Sequence, residues 1–406
     1  MNNYPIQFTL GVIMLTDKHI DIVKSTIPLL ENAGPALTSH FYQRMFSHNP
    51  ELKDIFNMAN QHSGRQQVAL FEAIAAYAKN IENLAVLTTA VERIAQKHTS
   101  FNIKAQHYAI VGHHLIETLR ELAVDAFTTD VEQAWTKAYQ FLAQIFIDRE
   151  SELYQQRAET SGGWSDARAF TVVDKIVESE LVKSFVFAPV DEKPVINYQP
   201  GQYLGIEVNP TGYEYKEIRQ YSLSDKANND CYRISVKREI NGVPGIVSNY
   251  LHDGINIGDQ VNLYAPAGDF FFVDRQAPVV LLSAGVGITP MQAMLETLAQ
   301  QGYNNNVHYL HACENSEQHS FAERTNKLIN DNNWQQHIWY RSEDSKHDHI
   351  HHGMMDLTVL ELPIEQGDFY LCGPIAFMQF AKQQLLTLGV SETNIHYEVF
   401  GPHESL

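Results

Sequence analysis

The sequence predicts three domains of different class: an all-α domain, a small antiparallel β-barrel and an α/β domain with a parallel sheet. The chain has 406 residues, which is too long for one ordinary domain. Apolar residues recur at helical spacing over residues 15–154, whereas the period changes to two after residue 168. From Pro278 onward, buried apolar strands alternate with helical stretches, which is typical of a parallel sheet covered by helices.

The domain boundaries are predicted where composition and period change. We expect a helical domain over residues 14–154, followed by a polar linker that contains glycine over residues 155–168. A barrel domain is expected over residues 169–276 and an α/β domain over residues 277–406. Thr16 is a favourable N-cap residue, so the first helix should begin there. Met14 is therefore a candidate for the physiological first residue.

Alternation and turn signals predict individual strands and helices within these boundaries. In the barrel domain, strands are expected at 170–177, 184–188, 203–208, 219–224 and 232–238. In the α/β domain, strands are expected at 279–283, 307–311 and 369–372. Helices are expected at 291–301 and 377–388.

Charge and cysteine content exclude several classes of protein. The 48 acidic and 29 basic residues give a formal net charge of -19, which repels nucleic acid and anionic membrane surfaces. Cys231, Cys313 and Cys372 lie far apart without a CxxC pair, which argues against a disulfide framework or a zinc site. No apolar run is long enough to span a bilayer, and the first residues lack the features of a signal peptide. We therefore expect a cytoplasmic protein.

His98 is the most informative residue of the helical domain. It continues the apolar stripe of the predicted helix 81–98, where a histidine is by default a hydrogen-bonded core residue. Tyr108 opens the following stripe and Glu150 flanks a third, so both side chains can reach the imidazole. A carboxylate that accepts the imidazole N–H makes the histidine a stronger metal donor, and on haem iron this pushes electron density toward the opposite ligand.

Two stretches resemble the globin half of bacterial flavohaemoglobins, and the likeness covers nearly all of residues 15–154. They are PALTSHFYQRMFSHNPELKDIFNMANQ and IAQKHTSFNIKAQHY. The resemblance implies a haem b whose iron is ligated by His98, with Tyr108 and Glu150 as its hydrogen-bonding relay.

The same resemblance implies a distal pocket. Tyr42 would donate to iron-bound dioxygen, and Phe56 would pack on the porphyrin. Gln66 and Leu70, four residues apart on one helical face, would line the pocket, and Lys97 would tune the haem potential. Helical spacing alone also suits core aromatics and a surface glutamine. The largely apolar lining leaves a bound lipid open as a further ligand.

A predicted barrel strand carries an R-x-Y-S element, formed by Arg219, Gln220, Tyr221 and Ser222. A flavin nucleotide needs a cation for its phosphate, a flat ring against the isoalloxazine and a hydroxyl donor near N5. Alternation puts Arg219 and Tyr221 on one face of the strand, with Ser222 opposite. The element alone also suits an ordinary strand.

Two flanking motifs support a flavin site. PGQY ends in Tyr203, which can add a second ring contact. GIVSNYLHD contains Ser248, the predicted N-cap of a short helix whose free N–H groups suit a pyrophosphate. In this order, the motifs resemble the FAD domain of ferredoxin reductases.

The segment LLSAGVGITPM predicts a nucleotide-binding loop between a buried strand and a helix. Glycines let backbone N–H groups approach a phosphate, while Thr289 is expected to cap the helix and Pro290 to occupy its first turn. The G-x-G-x-T-P pattern resembles the ferredoxin-reductase version of this loop, which implies contacts from Gly285, Val286, Gly287, Ile288, Thr289 and Pro290. YLCGPIAFM resembles its second nicotinamide element, which implies contacts from Cys372, Gly373 and Pro374.

The nucleotide is expected to be NADH, with NADPH as the alternative. Residues 313–319 contain two acids and neither Arg nor Lys. A 2′-phosphate needs a cation at this position, whereas a free ribose hydroxyl tolerates an acid.

The C-terminal segment resembles the tail that covers the flavin in this family. The implied contacts come from Glu398, Val399, Phe400, Gly401 and Pro402. Val399 stands where flavohaemoglobins often carry a cysteine, a departure that leaves the backbone contacts intact. Glu398 is then a candidate for tuning electron flow between flavin and haem.

The run HDHIHH, residues 347–352, has the composition of a metal site. It lies in a polar stretch without residues to orient the ligands, which favours a solvated loop.

The resemblance implies a monomeric nitric oxide dioxygenase that acts on small molecules and protects against nitrosative stress. Three alternatives stay open: a haem-based gas sensor, a general NADH-dependent reductase of peroxides, quinones or ferric chelates, and an oxygen store. A complete flavin reductase in place of an output module argues against the sensor.

Overall fold

The computed structural model describes residues 15–56, 65–344 and 347–401. Among these, the residues up to Glu159 together with Glu214–Ile218 form one compact unit, and Thr160–Tyr213 together with the residues from Arg219 onward form a second. The first unit is mainly helical and the second contains two sheets. Within the described ranges, no helix is long and apolar enough to cross a membrane.

The described part of the first unit has its α-helices at α1 Asp17–Ser25, α2 Ile27–His48, α3 Arg65–Lys79, α4 Thr88–Ser100, α5 Ala105–Leu122 and α6 Thr129–Glu159. Thr16 caps α1 as predicted, its hydroxyl accepting the N–H of His19 at 3.3 Å. Apolar faces of these helices meet in one core, which includes Phe41, Met45, Tyr77, Leu115 and Trp135.

Two helix ends differ from the sequence prediction. α4 begins at Thr88 instead of Ile81, because Asn83 has a non-helical backbone and a 3₁₀ turn over Leu84–Leu87 precedes the helix. α6 continues to Glu159, five residues into the segment expected to be a linker. Residues 155–159, QQRAE, are good helix formers, and the first glycine comes only at Gly162.

The first sheet belongs to the second unit except for Glu217 and Ile218 of its strand β4. It is antiparallel and has the strand order β4-β3-β6-β1-β2-β5. Its strands are β1 Arg168–Val177, β2 Val182–Pro189, β3 Tyr203–Val208, β4 Glu217–Ser222, β5 Tyr232–Lys237 and β6 Gln260–Leu263, and helix α7 Ile246–Asp253 packs beside them. β6 joins β1 to β3, so the four-residue strand that the sequence does not predict connects the two halves of the sheet.

The second sheet is parallel and has the strand order β10-β9-β8-β7-β11-β12. Its strands are β7 Val279–Ala284, β8 Val307–Cys313, β9 Gln335–Tyr340, β10 Ile350–His352, β11 Asp368–Cys372 and β12 Ile395–Glu398, and its helices are α8 Ile288–Gln301, α9 Ala322–Asn332 and α10 Ile375–Leu388. Apolar clusters cover both faces of the sheet. The carboxyl ends of the neighbouring strands β8, β7 and β11 lie at one edge, where parallel sheets bind ligands.

Candidate functional site

Three side chains from three helices meet in the helical unit. Nδ1 of His98, at the end of α4, lies 2.9 Å from the Tyr108 hydroxyl and 2.8 Å from Glu150 Oε1. The Tyr108 hydroxyl, near the start of α5, donates to the same Glu150 oxygen at 2.5 Å. The structure therefore brings together the histidine, phenol and carboxylate that the sequence places on three apolar stripes.

This arrangement determines which ring nitrogen of His98 carries the hydrogen. Burial and the Glu150 carboxylate raise the pKa of Tyr108 far above its usual range, so the phenol keeps its proton and donates it. The Glu150 carboxylate, 3% exposed on α6, can only accept, so Nδ1 of His98 carries hydrogen and donates to it. The lone pair is then on Nε2, which is the atom available to a metal.

Two arginines of α6, which flank Glu150 along the chain, bind side chains of α4, the helix that carries His98. Arg149 contacts both Glu92 oxygens, at 2.6 Å and 3.0 Å. Arg157 donates to Thr99 Oγ1 and to Gln96 Oε1, each at 2.6 Å. Neither arginine is predicted from the sequence, although their spacing of eight residues along one helical face is a usable signal.

Aromatic side chains surround Tyr42 in the same unit. Tyr42 on α2 is 5% exposed, and its ring centroid lies 5.8 Å from Phe46 and 6.0 Å from Phe56. Leu70 of α3 packs against the same cluster. Lys97 is half-buried beside His98. The side chain of Gln66 lies outside the described residues, so its predicted pocket position stays a prediction.

The donor set of the helical unit fits a haem. His98 offers one ring nitrogen with a free lone pair, and its side chain is 34% exposed although its hydrogen-bonded partner Glu150 is buried. The cluster around Tyr42 supplies flat apolar surfaces and a hydroxyl. An imidazole ligand supported by a carboxylate and an apolar pocket are what haem iron and a porphyrin require.

The R-x-Y-S element lies on β4, the edge strand of the antiparallel sheet. Arg219, Gln220 and Tyr221 are half-buried and Ser222 is buried. On β3, Tyr203 is tied to the chain at Ala267 by two backbone hydrogen bonds of 2.9 Å and 2.8 Å. Gly268 comes next, where a Cβ atom would lie 2.9 Å from the Tyr203 ring, so only glycine lets the chain pass this ring. A cation, two phenol rings and a hydroxyl on adjacent strands fit a flavin nucleotide.

Ser248 does not have the capping position expected of it. The N-cap of α7 is Gly245, and Ser248 is the third helical residue. Its hydroxyl accepts the N–H of Glu239 at 3.3 Å and lies 3.4 Å from the carbonyl of Gly245. A Cβ atom at Gly245 would lie 2.5 Å from Ser248 Oγ, so glycine at the cap leaves room for the Ser248 hydroxyl inside the first turn.

The two nucleotide motifs touch at the edge of the parallel sheet. A Cβ atom on Gly287 would lie 2.2 Å from the carbonyl oxygen of Cys372, so this residue must be glycine for the loop to pack on the end of β11. Gly285 has φ of 53° and faces open space. Val286 lies between them in the same 3₁₀ turn. An open, glycine-lined turn at the N-terminus of α8 fits a pyrophosphate.

Thr289 does not cap α8, because the helix begins at Ile288 after the cap residue Gly287. The Thr289 hydroxyl instead donates to the carbonyl of Val286 at 3.0 Å, and Pro290 lies in the first turn as expected. Cys372 is fully buried, and burial raises the pKa of its thiol well above the usual range, so it is an inert small residue here. Gly373 and Pro374 link β11 to α10.

The C-terminal strand β12 lies beside β11 and pairs Glu398 with Cys372. Val399 is buried, whereas Phe400 is 44% exposed, which suits a ring that covers a cofactor. Gly401 ends the described residues, and Pro402 lies outside them.

The turn after β8 is held by a carboxylate that the sequence does not single out. Glu343 accepts from the Ser316 backbone N–H at 2.7 Å and from the Ser316 hydroxyl at 3.1 Å. These hydrogen bonds lower the pKa of Glu343, so the carboxylate is ionised at neutral pH. Glu343 thus places a negative charge against the segment where the 2′-position of the ribose is expected.

The histidine run is only partly the solvated loop that the sequence predicts: His347 and Asp348 lie in an exposed turn, whereas the second half is a strand. Ile350–His352 forms strand β10, and the ring of His351 stacks on Trp339 with a centroid distance of 4.7 Å. His351 Nε2 lies 2.9 Å from His337 Nδ1. Among the residues that the structure describes, no three His, Cys, Asp or Glu side chains form a group able to hold a metal ion.

Comparisons with known proteins agree with this arrangement. Family models match for a globin at residues 39–146, an oxidoreductase FAD-binding domain at 169–272 and an oxidoreductase NAD-binding domain at 281–383. A flavohemoprotein of Vibrio cholerae is 64% identical over 395 residues, which covers 97% of this chain and 100% of that protein.

Two solved structures are similar. The crystal structure of flavohemoglobin from Malassezia yamatoensis with bound FAD and heme matches 95% of this chain and 100% of that chain, at 26% identity and a TM-score of 0.85. The FAD/NAD binding domain of nitric oxide dioxygenase from Vibrio cholerae O1 biovar El Tor matches 58% of this chain and 100% of that chain, at 58% identity and a TM-score of 0.57.

Proposed function

The chain belongs to the flavohaemoglobin family, and from that membership we infer that it is a nitric oxide dioxygenase. As an oxidoreductase of this family it uses haem, FAD and a nicotinamide nucleotide. When bound, these groups supply hydride transfer, single-electron transfer and dioxygen chemistry. Each NADH provides the two electrons that convert two molecules of nitric oxide and two of dioxygen into two of nitrate.

The hydrogen-bonded set of His98, Tyr108 and Glu150 carries this proposal. Glu150 accepts the Nδ1 hydrogen and so gives the imidazole anionic character. Tyr108 donates to the same carboxylate oxygen and holds it in place. A histidine that donates strongly would favour activation of dioxygen on haem iron over its reversible storage. In this chain such a histidine occurs together with a nucleotide-binding loop.

On the distal side, we place the Tyr42 hydroxyl as the donor to dioxygen, with Gln66 as the proposed second donor. Phe56 packs edge-on to Tyr42 and holds its ring in the pocket. In the reductase part, Arg219, Tyr221 and Ser222 would hold the flavin, and the loop from Gly285 to Pro290 would hold the nucleotide.

The three free cysteines and the acidic composition suit a protein of the reducing cytoplasm, which we propose as its location. A monomer and an apolar ligand in the distal pocket stay predictions.

Glu150→Gln should weaken the histidine as an electron donor. The amide oxygen carries no net charge, so His98 donates a weaker hydrogen bond and the ferric haem loses stabilisation. We expect a more positive haem potential, a lower iron–histidine stretching frequency and haem affinity reduced roughly 10- to 100-fold. Glu159→Gln, at an exposed position near the end of the same helix, is the matched control. An unchanged potential in Glu150→Gln would remove the relay from the mechanism.

Tyr42→Phe should speed dioxygen dissociation and slow turnover. Loss of a hydrogen bond to a partly negative oxygen corresponds to roughly a tenfold to hundredfold change. Stopped-flow displacement of bound dioxygen from the ferrous protein by carbon monoxide measures the dissociation rate. Tyr77→Phe is the control, because that buried hydroxyl donates to the Ala138 carbonyl at 2.8 Å. If Tyr42→Phe released dioxygen no faster than the control, Tyr42 would have no part in the mechanism.

Glu343→Gln should relax the preference for NADH. The substitution removes the charge next to Ser316 and leaves its N–H and hydroxyl able to donate to a 2′-phosphate. The ratio of kcat/KM for NADPH to that for NADH should rise about tenfold. Asp344→Asn, whose side chain is 91% exposed, is the control. If the NADPH-to-NADH ratio were the same in Glu343→Gln as in Asp344→Asn, the 2′-position of the ribose would not lie near Glu343.

Parallel rate measurements with nitric oxide, a hydroperoxide, a quinone and a ferric chelate test the proposed activity against a general reductase. The holoenzyme with NADH under air should consume nitric oxide fastest. Slow consumption of nitric oxide beside fast hydroperoxide reduction would favour the general reductase.

A further inference from the structure

Arg324 on α9 joins two carboxylates that come from distant parts of the second unit. Its Nη2 donates to Asp225 Oδ1 at 2.7 Å, and its Nε donates to Glu296 Oε1. Asp225 follows the end of β4 by three residues, and β4 carries the R-x-Y-S element. Glu296 lies on α8, the helix that begins directly after the loop Gly285–Gly287. One guanidinium therefore connects the segment that follows the flavin strand to the nucleotide helix.

Each end of this link is itself held in place. Glu296 is 5% exposed, and Gln292 donates to it at 3.1 Å. Gln292 in turn accepts the Thr325 hydroxyl at 2.8 Å, which ties α8 to α9 a second time beside Arg324. Rotation of the Glu296 carboxylate away from Arg324 would break both contacts.

A second arginine approaches from the antiparallel sheet. Arg233 on β5 is 7% exposed, donates to Glu178 and lies 3.7 Å from Asp225. Its guanidinium also lies over the ring of Phe321, 5.3 Å from the centroid. Phe321 is the residue before α9 and has φ of 60°, a backbone conformation that bulky side chains rarely adopt. The start of α9 is thus held against the antiparallel sheet by Phe321, a bulky residue with a strained backbone.

Stability alone is a weak reason for such a network. Three acids and three bases, including Lys226 at 3.7 Å from Glu296, are taken partly out of water, and desolvation of charges offsets most of their attraction. Charged networks of this kind give directional contacts with fixed geometry, which apolar packing does not. Geometry is what hydride transfer between two bound cofactors requires, since a misplacement of about 1 Å can cost roughly a hundredfold in rate.

We propose that Arg324 is a positioning residue for hydride transfer, and that through Asp225 and Glu296 it sets the distance between the nucleotide helix and the flavin strand. In this step a hydride leaves C4 of the nicotinamide for N5 of the flavin, NADH is oxidised to NAD⁺, and the reduced flavin takes one proton from solvent. The proposal rests on the FAD and nicotinamide sites of the family and not on nitric oxide, so it can fail while the dioxygenase activity stands.

Anaerobic stopped-flow reduction of the flavin in the holoenzyme tests this role, with NADH and with NADH deuterated at the transferred position. In Arg324→Gln, the limiting reduction rate should fall roughly tenfold to a hundredfold and the deuterium isotope effect should rise, while the NADH concentration at half-saturation stays within about twofold. Arg324→Lys, which keeps the charge but reaches only one carboxylate well, should recover part of the rate. Lys327→Gln is the matched control, because its exposed pair with Asp331 lies on the same helix.

A purely structural role makes a different prediction. Arg324→Gln would then melt at a lower temperature but reduce its flavin at the wild-type limiting rate with the wild-type isotope effect, and that result overturns the proposal. Glu296→Gln keeps the side-chain volume and is measured in the same way if Arg324→Gln loses FAD. Wild-type reduction in Glu296→Gln also overturns the proposal. Reduction slowed equally in Arg324→Gln, Asp225→Asn and the double variant supports it, because residues that act through one link are not additive.

Discussion

His98→Ala should give a folded protein that retains FAD and lacks haem. The side chain supplies the nitrogen that the proposed iron site needs, and no described neighbour offers an imidazole in the same position, since His107 Nδ1 is engaged by the backbone N–H of Lys104 at 3.0 Å. We expect the absorption band of the haem to disappear and NADH-driven consumption of nitric oxide to fall to background. Reduction of ferricyanide, which takes electrons from the flavin, should continue at the wild-type rate.

His113→Ala is the matched control for this prediction. His113 lies on the exposed face of α5, and its loss should leave haem content and activity unchanged. If His98→Ala bound haem stoichiometrically with a normal spectrum, the iron ligand would be another residue, and the relay of Tyr108 and Glu150 would lose its purpose.

Gly287→Ala should abolish reduction of the flavin by NADH. The new Cβ atom would lie 2.2 Å from the Cys372 carbonyl oxygen and 2.4 Å from its carbonyl carbon, and both are backbone atoms that cannot rotate away. The loop or the end of β11 must therefore move, and both belong to the proposed nucleotide site. We expect a loss of about 1–3 kcal/mol of stability, in the range of overpacked cores, and retention of FAD that a chemical reductant can still reduce.

Gly302→Asn, at the other end of α8, is the control for this substitution. Gly302 has φ of 63°, which asparagine tolerates, and a Cβ atom added there would have no other atoms within 4 Å. NADH–ferricyanide activity distinguishes the two variants. Wild-type affinity and rate in Gly287→Ala would mean that the contact between the two motifs is not needed for nucleotide binding.

Much of the fold follows from local patterns in the sequence. The strand Tyr203–Val208 has the bounds that alternation predicts, and β7 and β11 differ from their predictions by one residue each. The contact of His98 with Tyr108 and Glu150 was predictable too, because each of the three lies on or beside an apolar stripe, and stripes of packed helices face one another.

Other elements have no local signal. β9, with the sequence QQHIWY, begins with two polar residues, and β10 and β12 have only three and four residues. Such short strands are stabilised by pairing with neighbouring strands, as β9 pairs with β8 and β12 with β11, which depends on tertiary structure. The sequence predicts Ser248 as the cap of α7 because serine is a favourable cap residue, yet the helix is capped three residues earlier, at Gly245.

The long-range contacts were the least predictable part of the site. Arg324 and Asp225 are 99 residues apart, and Glu343 and Ser316 are 27 residues apart. No spacing rule connects such pairs, because the fold brings them together. The sequence therefore indicates which cofactors the protein uses, whereas the structure is needed to find the residues that position them.

Nitrate balance under air is the most direct test of the proposed activity. The holoenzyme receives NADH in excess and nitric oxide in known amount, and nitrate, nitrite and NADH are measured when nitric oxide is exhausted. A dioxygenase should form one nitrate for each nitric oxide and oxidise one NADH for each two. Consumption of NADH that is independent of nitric oxide, with the added nitric oxide recovered as nitrite at the rate of an enzyme-free control, would contradict it.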